Sequence, residues 1–148
     1  QIEELAKNLN GCRILLAEDN DLNAEIAMTI LQEHGVQVER AVNGEECVEM
    51  LKAQTADYYD AVLMDIQMPV MNGYDAARAI RQLTTPHAAV SIIAMTANAF
   101  EEDKQKAFAA GMDAYITKPV DVVSMMKTLH QIIETHRSDP DLSENKYL

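Results

Sequence analysis

Five polar residues stand directly after short apolar runs, and their types define a narrow chemistry. Glu18 and Asp19 follow RILLA (13–17). Asp65 follows AVLM (61–64), Thr96 follows SIIAM (91–95), and Lys118 follows AYIT (114–117). A lone carboxylate at the tip of a buried strand is costly unless something pairs with it. Three carboxylates crowded together would raise their pKa values or push apart unless a cation relieved them. Two like charges ~4 Å apart repel by ~4 kcal/mol at an effective dielectric near 20. Mg²⁺ suits such a set, because it takes oxygen ligands, keeps waters, and combines one or two carboxylates with a phosphate. Lys118 is a point charge suited to phosphate. Thr96 offers a hydroxyl to a phosphoryl oxygen, and Asp65 is the natural nucleophile of the set, since carboxylates form aspartyl phosphates.

Each residue also has an ordinary reading. An Asp before a loop holding Pro69, Asn72 and Gly73 starts turns. Glu18-Asp19-Asn20 suits a helix cap. Thr96 could be a strand-end hydroxyl and Lys118 a solvated cation. What tells against coincidence is the recurrence at four strand ends.

The elements that must position these residues follow from the apolar pattern. RILLA, AVLM and SIIAM are short continuous apolar runs, as central parallel strands require. VQVERAV (36–42) alternates Val36, Val38, Arg40 and Val42 and reads as an edge strand. AYIT is a short fifth strand. Helices are expected over residues 21–34, with Leu22, Ile26, Ile30 and Leu31 on one face, and over 44–54, 73–83 and 100–110. Ala76, Ala77 and Ile80 are the packing residues of the third. Gly35 and Gly111 stop two of these helices. Val122, Val123, Met126, Leu129 and Ile133 form the stripe of a last helix. Strand and helix thus alternate five times, which predicts a doubly wound parallel sheet covered on both faces. All strands of such a sheet end on one edge, where these folds bind ligands. Residues scattered from 18 to 118 would meet there.

With 148 residues, 48% of them hydrophobic, the chain suits one domain with a full core. A net charge of −12 argues against direct nucleic-acid binding. No apolar stretch approaches the ~20 residues of a membrane span. The two cysteines, Cys12 and Cys47, lack metal-ligand spacing and read as reduced thiols of a cytoplasmic domain. The four histidines have no ligand or nucleophile setting. Residues 1–11 read as a linker or the end of a preceding helix, 12–136 as the domain, and 137–148 as a polar, frayed tail. The first residue, Gln1, suggests a piece cut from a longer protein or a processed one.

The chain resembles the receiver domain of two-component response regulators. The resemblance rests on LLAEDN (15–20), LMDIQMPVMNG (63–73), AMTA (94–97) and YITKP (115–119), in order and spacing. It implies a flavodoxin-like (βα)5 fold with strand order 2-1-3-4-5. It implies that Asp65 is the phospho-acceptor and that Asp19, Asp65 and the backbone carbonyl of Gln67 hold Mg²⁺, or Mn²⁺ in its place. Glu18, where the family more often has Asp, would reach the metal through water. Thr96 and Lys118 would bind the phosphoryl group, and Tyr115 would be the aromatic switch that turns inward when Thr96 moves. Gln67 and Asn98 occupy positions that tune dephosphorylation. The Lys118-Pro119 bond is usually cis in the family. The implied partner is a histidine kinase or histidine phosphotransfer domain, and the domain is a phosphorylation switch more than an enzyme.

AEDNDLN (17–23) looks like receivers attached to hybrid sensor kinases, whose parent protein could be membrane-anchored; a stand-alone regulator is the alternative. An Asp-nucleophile phosphatase would carry an acid/base Asp where Gln67 stands. A flavin carrier would need a Ser/Thr/Gly-rich loop where Glu18-Asp19 stands. A degenerate receiver would lack acceptor-site residues that are all present here. The helix after Phe100 is either a partner surface or a bland one.

Overall fold

A computed structural model of the chain describes residues 2–98 and 100–138, with side chains for 3–98 and 100–135. Five parallel strands form one sheet: β1 (Arg13–Ala17), β2 (Gln37–Ala41), β3 (Ala61–Asp65), β4 (Ile92–Thr96) and β5 (Ala114–Thr117). Their order is β2-β1-β3-β4-β5, the doubly wound order expected from the sequence. Helices α1 (Ile2–Leu9), α2 (Asp21–Glu33), α3 (Gly44–Lys52), α4 (Gly73–Arg81), α5 (Glu101–Ala109) and α6 (Val122–Ser138) accompany them, with a 3₁₀ turn at Pro86–Ala89.

The central strands are apolar throughout because both faces of the sheet are covered. Leu15, Val62, Met64, Ile92 and Ala94 pack under α3, α4 and α5, against Leu51, Ala76, Ala77, Ile80 and Ala107. The alternate residues Ile14, Leu16, Leu63, Ile93 and Met95 pack on the other face with Ala24, Ala27, Leu31, Met126, Leu129 and Ile133. Period-two alternation of side chains makes this division automatic. The edge strand β2 is only partly buried until Ala41.

Two helix faces differ from the pattern expected. On α2 the inward residues are Ala24, Ala27 and Leu31, while Leu22 and Ile26 are 65% and 46% exposed. Small residues let this helix lie close on the sheet, and leaving a large apolar side chain in water is common enough to carry no penalty that would turn it. On α6, Met125 is buried and Val123 is exposed. Val42 lies beyond the end of β2 and is exposed as well.

Within residues 1–11, α1 packs on α6: Leu9 is buried, Leu5 and Ala6 are partly buried in the same cluster, and Asn8 Nδ2 lies 3.1 Å from His130 Nε2. A helix of eight residues is stable only with such packing. The expected tail at 137–148 lies outside the described residues beyond Ser138, where α6 ends. Among the described residues, no helix is long and apolar enough to cross a membrane. Both cysteines are buried. His34 is bonded to Ile30, and His87 to Thr85 and Gln54, away from the carboxyl ends of the strands.

Candidate functional site

The loops after β1, β3, β4 and β5 open onto one cleft of about 770 Å³. Its lining includes Glu18, Asp19, Asp65, Gln67, Thr96, Asn98 and Lys118. Parallel strands put these residues there, since every strand ends on the same edge. Asparagines fix the helices that follow. Asn20, Asn43 and Asn72 each accept a hydrogen bond from the backbone amide three residues on, at Asn23, Glu46 and Asp75, and so begin α2, α3 and α4.

The loop after Asp65 is tight. Gly73 N donates to Ile66 O at 2.8 Å, and a Cβ at Gly73 would run into the Asp65 carbonyl. Val70 has φ +69° inside a three-residue turn closed by Met71 N to Pro69 O at 2.7 Å. That backbone region is strained for a β-branched residue.

Glu18, Asp19 and Asp65 each offer a carboxylate oxygen, and these oxygens lie within 4.8 Å of one another. Lys118 Nζ sits 3.1 Å from Glu18 Oε1 and 3.1 Å from Asp65 Oδ1. Glu18 and Asp65 are 2% and 5% exposed, whereas Asp19 is open to solvent. Burial pushes the Glu18 carboxyl above its ordinary range, Asp65 pushes it further, and Lys118 only partly offsets them. Burial lowers the Lys118 ammonium, but its bonds to Glu18 and Asp65 outweigh that and hold it above its ordinary value. One ammonium therefore serves two buried carboxylates, and a third carboxylate stands beside them. This donor set fits a hard divalent cation, which wants oxygen ligands and an open, hydrated side.

The other expected residues divide. The Thr96 hydroxyl donates to Asn98 O at 3.0 Å and accepts from Asn98 N at 3.1 Å, so it is tied to its own loop. Gln67 N lies 3.4 Å from Asp65 Oδ1. The Lys118-Pro119 bond is cis. Pro119 borders a second, more apolar cavity of about 420 Å³ with Leu16, Ile26, Ala27 and Val120. Tyr115 is not brought to the cleft. Its half-buried ring meets Phe108 edge-on at 6.2 Å, and Lys104 Nζ lies 4.6 Å over it.

One contributor was not foreseen. Arg40, which looked like a polar break in an edge strand, bonds the Glu18 carbonyl and Asp21. A cation at the position in line with Val36, Val38 and Val42 was the available signal.

The chain matches the response regulator receiver domain family over residues 14–130 and belongs to it. Among its relatives is hybrid signal transduction histidine kinase L of Dictyostelium discoideum, 39% identical over an alignment of 112 residues that covers 73% of this chain and 6% of that protein. The peroxide stress-activated histidine kinase mak1 of Schizosaccharomyces pombe is 38% identical over 122 residues, 80% of this chain and 7% of that protein. The chain thus spans a small fraction of these relatives. The receiver domain of the Pseudomonas aeruginosa sensor histidine kinase PA1611, solved with a magnesium ion coordinated in its active-site cleft, superposes with a TM-score of 0.76 at 36% identity, covering 84% of this chain and 98% of that one. Vibrio cholerae chemotaxis protein CheY4 gives 0.74 at 25% identity, covering 82% and 98%. This chain is a receiver domain of the kind found in hybrid histidine kinases, and its role is that of a phosphorelay receiver.

Proposed function

We propose that Asp65 takes a phosphoryl group from a phosphohistidine and that the unit doing so is residues 12–136, with α1 docked on it. The observation that carries this reading is the convergence of Glu18, Asp19 and Asp65 on one point, with Lys118 3.1 Å from two of them. An Asp65 carboxylate oxygen attacks phosphorus while the phosphorus–nitrogen bond to the donor imidazole breaks, and the imidazole leaves with the bond's electron pair. Mg²⁺, or Mn²⁺ in its place, would be held by Asp19, Asp65 and the Gln67 carbonyl, with Glu18 acting through water. Such an ion supplies charge neutralisation for the equatorial oxygens.

Lys118 then exchanges a carboxylate for a phosphoryl oxygen, as a point charge on a flexible stem is able to do. Thr96 exchanges the Asn98 carbonyl for the same group. Tyr115 responds to that movement by leaving Phe108 and turning inward. Gln67 and Asn98, at the rim of the cleft, set how readily water reaches the acyl phosphate.

The donor is a histidine kinase or phosphotransfer domain. Leu22 and Ile26 are exposed on α2, and Ile26 borders the cavity with Pro119 and Val120 beside the acidic cleft. This apolar rim suits a helix that presents the histidine. The similarity to hybrid kinases supports a place in such a parent protein, with this domain in the cytoplasm.

The test is intact mass after incubation with Mg²⁺ and acetyl phosphate. The wild type gains one phosphoryl adduct that hydroxylamine removes. Asp65→Asn gains none while keeping its circular dichroism, and a chelator prevents labelling of the wild type. An adduct on Asp65→Asn, or undiminished labelling without metal, refutes the assignment.

A further inference from the structure

We infer that Arg40 is a positioning residue of the acidic site: its guanidinium fork fixes the loop that presents Glu18 and Asp19. The inference rests on the reading of the cleft as a cation and phosphoryl site. The loop between β1 and α2 is closed at its far end by the Asn20 cap, and its near end is held from β2. Glu18 N donates to Ala41 O at 3.0 Å, and Arg40 Nε donates to Glu18 O at 2.9 Å. Both backbone groups of Glu18 are therefore held by the end of β2. Arg40 Nη1 also reaches Asp21 Oδ1 at 2.9 Å, on the far side of the loop. One side chain thus ties down the residue before Asp19 and the second residue after it. Asp19 makes no hydrogen bond or ion pair of its own among the described residues, so its placement depends on the flanking ties: those from Arg40, the Asn20 N bond to Glu18 Oε2 at 3.3 Å, and the Asn20 cap of α2.

Stability does not account for this arrangement. The Asp21 side chain is 93% exposed, and ion pairs of that kind contribute little. Arg40 Nη2 is buried without an acceptor among the described residues, which costs free energy that an apolar side chain would not incur. What the guanidinium provides is a rigid fork that spans two acceptors, which an ammonium lacks.

Charge and geometry predict opposite signs. A cation near the cluster opposes binding of a second cation, so removing its charge alone would tighten Mg²⁺. Loss of the fork lets Glu18 and Asp19 move apart under their mutual repulsion, and Mg²⁺ weakens. Residues that orient metal ligands are typically worth about 10-fold or more in affinity.

The experiment is calorimetric titration of the unphosphorylated chain with MgCl₂, beside labelling by acetyl phosphate across Mg²⁺ concentrations. Arg40→Met raises the Mg²⁺ Kd by about 10-fold, and its labelling curve shifts to higher Mg²⁺ while reaching the wild-type plateau. Arg40→Lys keeps the charge but falls between the two. Asp21→Asn shifts the Kd in the same direction by less, and Arg40→Lys, for which charge alone predicts no change, carries the test if Arg40→Met does not fold. A Kd that is unchanged or tighter in Arg40→Met, or in Arg40→Lys where Arg40→Met does not fold, overturns the inference. A wild type that takes no Mg²⁺ overturns the reading of the cleft itself, and Arg40 with it.

Discussion

Charged and polar side chains cluster at both edges of the sheet, and the two edges treat them differently. At the amino edge the charges find partners. Arg13 donates to Tyr58 O and Gln37 Oε1 and lies 3.9 Å over the Tyr58 ring, and its backbone amide is bonded by Asp60. Glu39 accepts both tyrosine hydroxyls, from Tyr58 and Tyr59, at 2.8 Å each. Arg81 donates to Gly111 O, Ala88 O, Val90 O and Asp113, and Asp113 also accepts from Ile92 N. At the carboxyl edge, two buried carboxylates share one ammonium and a third carboxylate stands beside them. The first edge is a clamp whose groups are mutually satisfied. The second holds like charges together, and Lys118 only partly offsets them. The sheet tolerates the second because the first, and the core between them, hold the strand ends in place.

Substitutions at the two edges should therefore have opposite signs. The largest loss of stability belongs to Arg81→Ala, which strips three carbonyls and Asp113 of their donor; about 3 kcal/mol should disappear from the urea-unfolding free energy. Glu39→Ala comes next. Burial, with the bond to Glu39, holds the Tyr59 hydroxyl well above its ordinary value, so it stays a protonated donor, and removing the acceptor leaves it unsatisfied. A loss of about 2 kcal/mol in the same measurement is expected.

Glu18→Gln has the reverse sign in metal-free buffer. Its carboxyl is raised above the ordinary 4.5 by burial and by Asp65, so the folded chain holds more protons than the unfolded one above that value. The metal-free wild type gains stability as the pH falls from neutrality toward 4.5. The variant should show a higher urea midpoint at pH 7 and lose that part of the pH dependence. A lower midpoint would erase the contrast between the edges. The smallest effect is Val70→Gly, a gain of under about 1 kcal/mol as relief of the positive φ is offset by unfolded-state entropy.

The strand ends were legible because each of four apolar runs stops at a residue of different chemistry, and parallel topology brings those four stops to one place. Asp65 and Lys118 needed nothing more. The α2 face was misread because periodicity gives weight to large side chains, whereas Ala24 and Ala27 pack inward as small ones. Val123 and Met125 exchanged places on α6 for a related reason: a stripe of branched residues can be drawn one position off the true contact line. α1 was hidden because a short helix owes its existence to α6, over a hundred residues away, and no local signal reports that. Arg40 was visible as an oddity in an edge strand, but its acceptors lie on a different strand's loop.

Lys118 and Glu18 are 100 residues apart in sequence. A chain emerging from the ribosome exposes Glu18 and Asp19 first, then Asp65, and carries all three through two further strands before Lys118 arrives. The strands β1 to β4 must find one another against that growing negative charge, with only apolar burial to drive them. The ammonium is thus the last charged part of the cleft that the nascent domain acquires, so a molecule interrupted before residue 118 has its three carboxylates but lacks the cation that joins two of them.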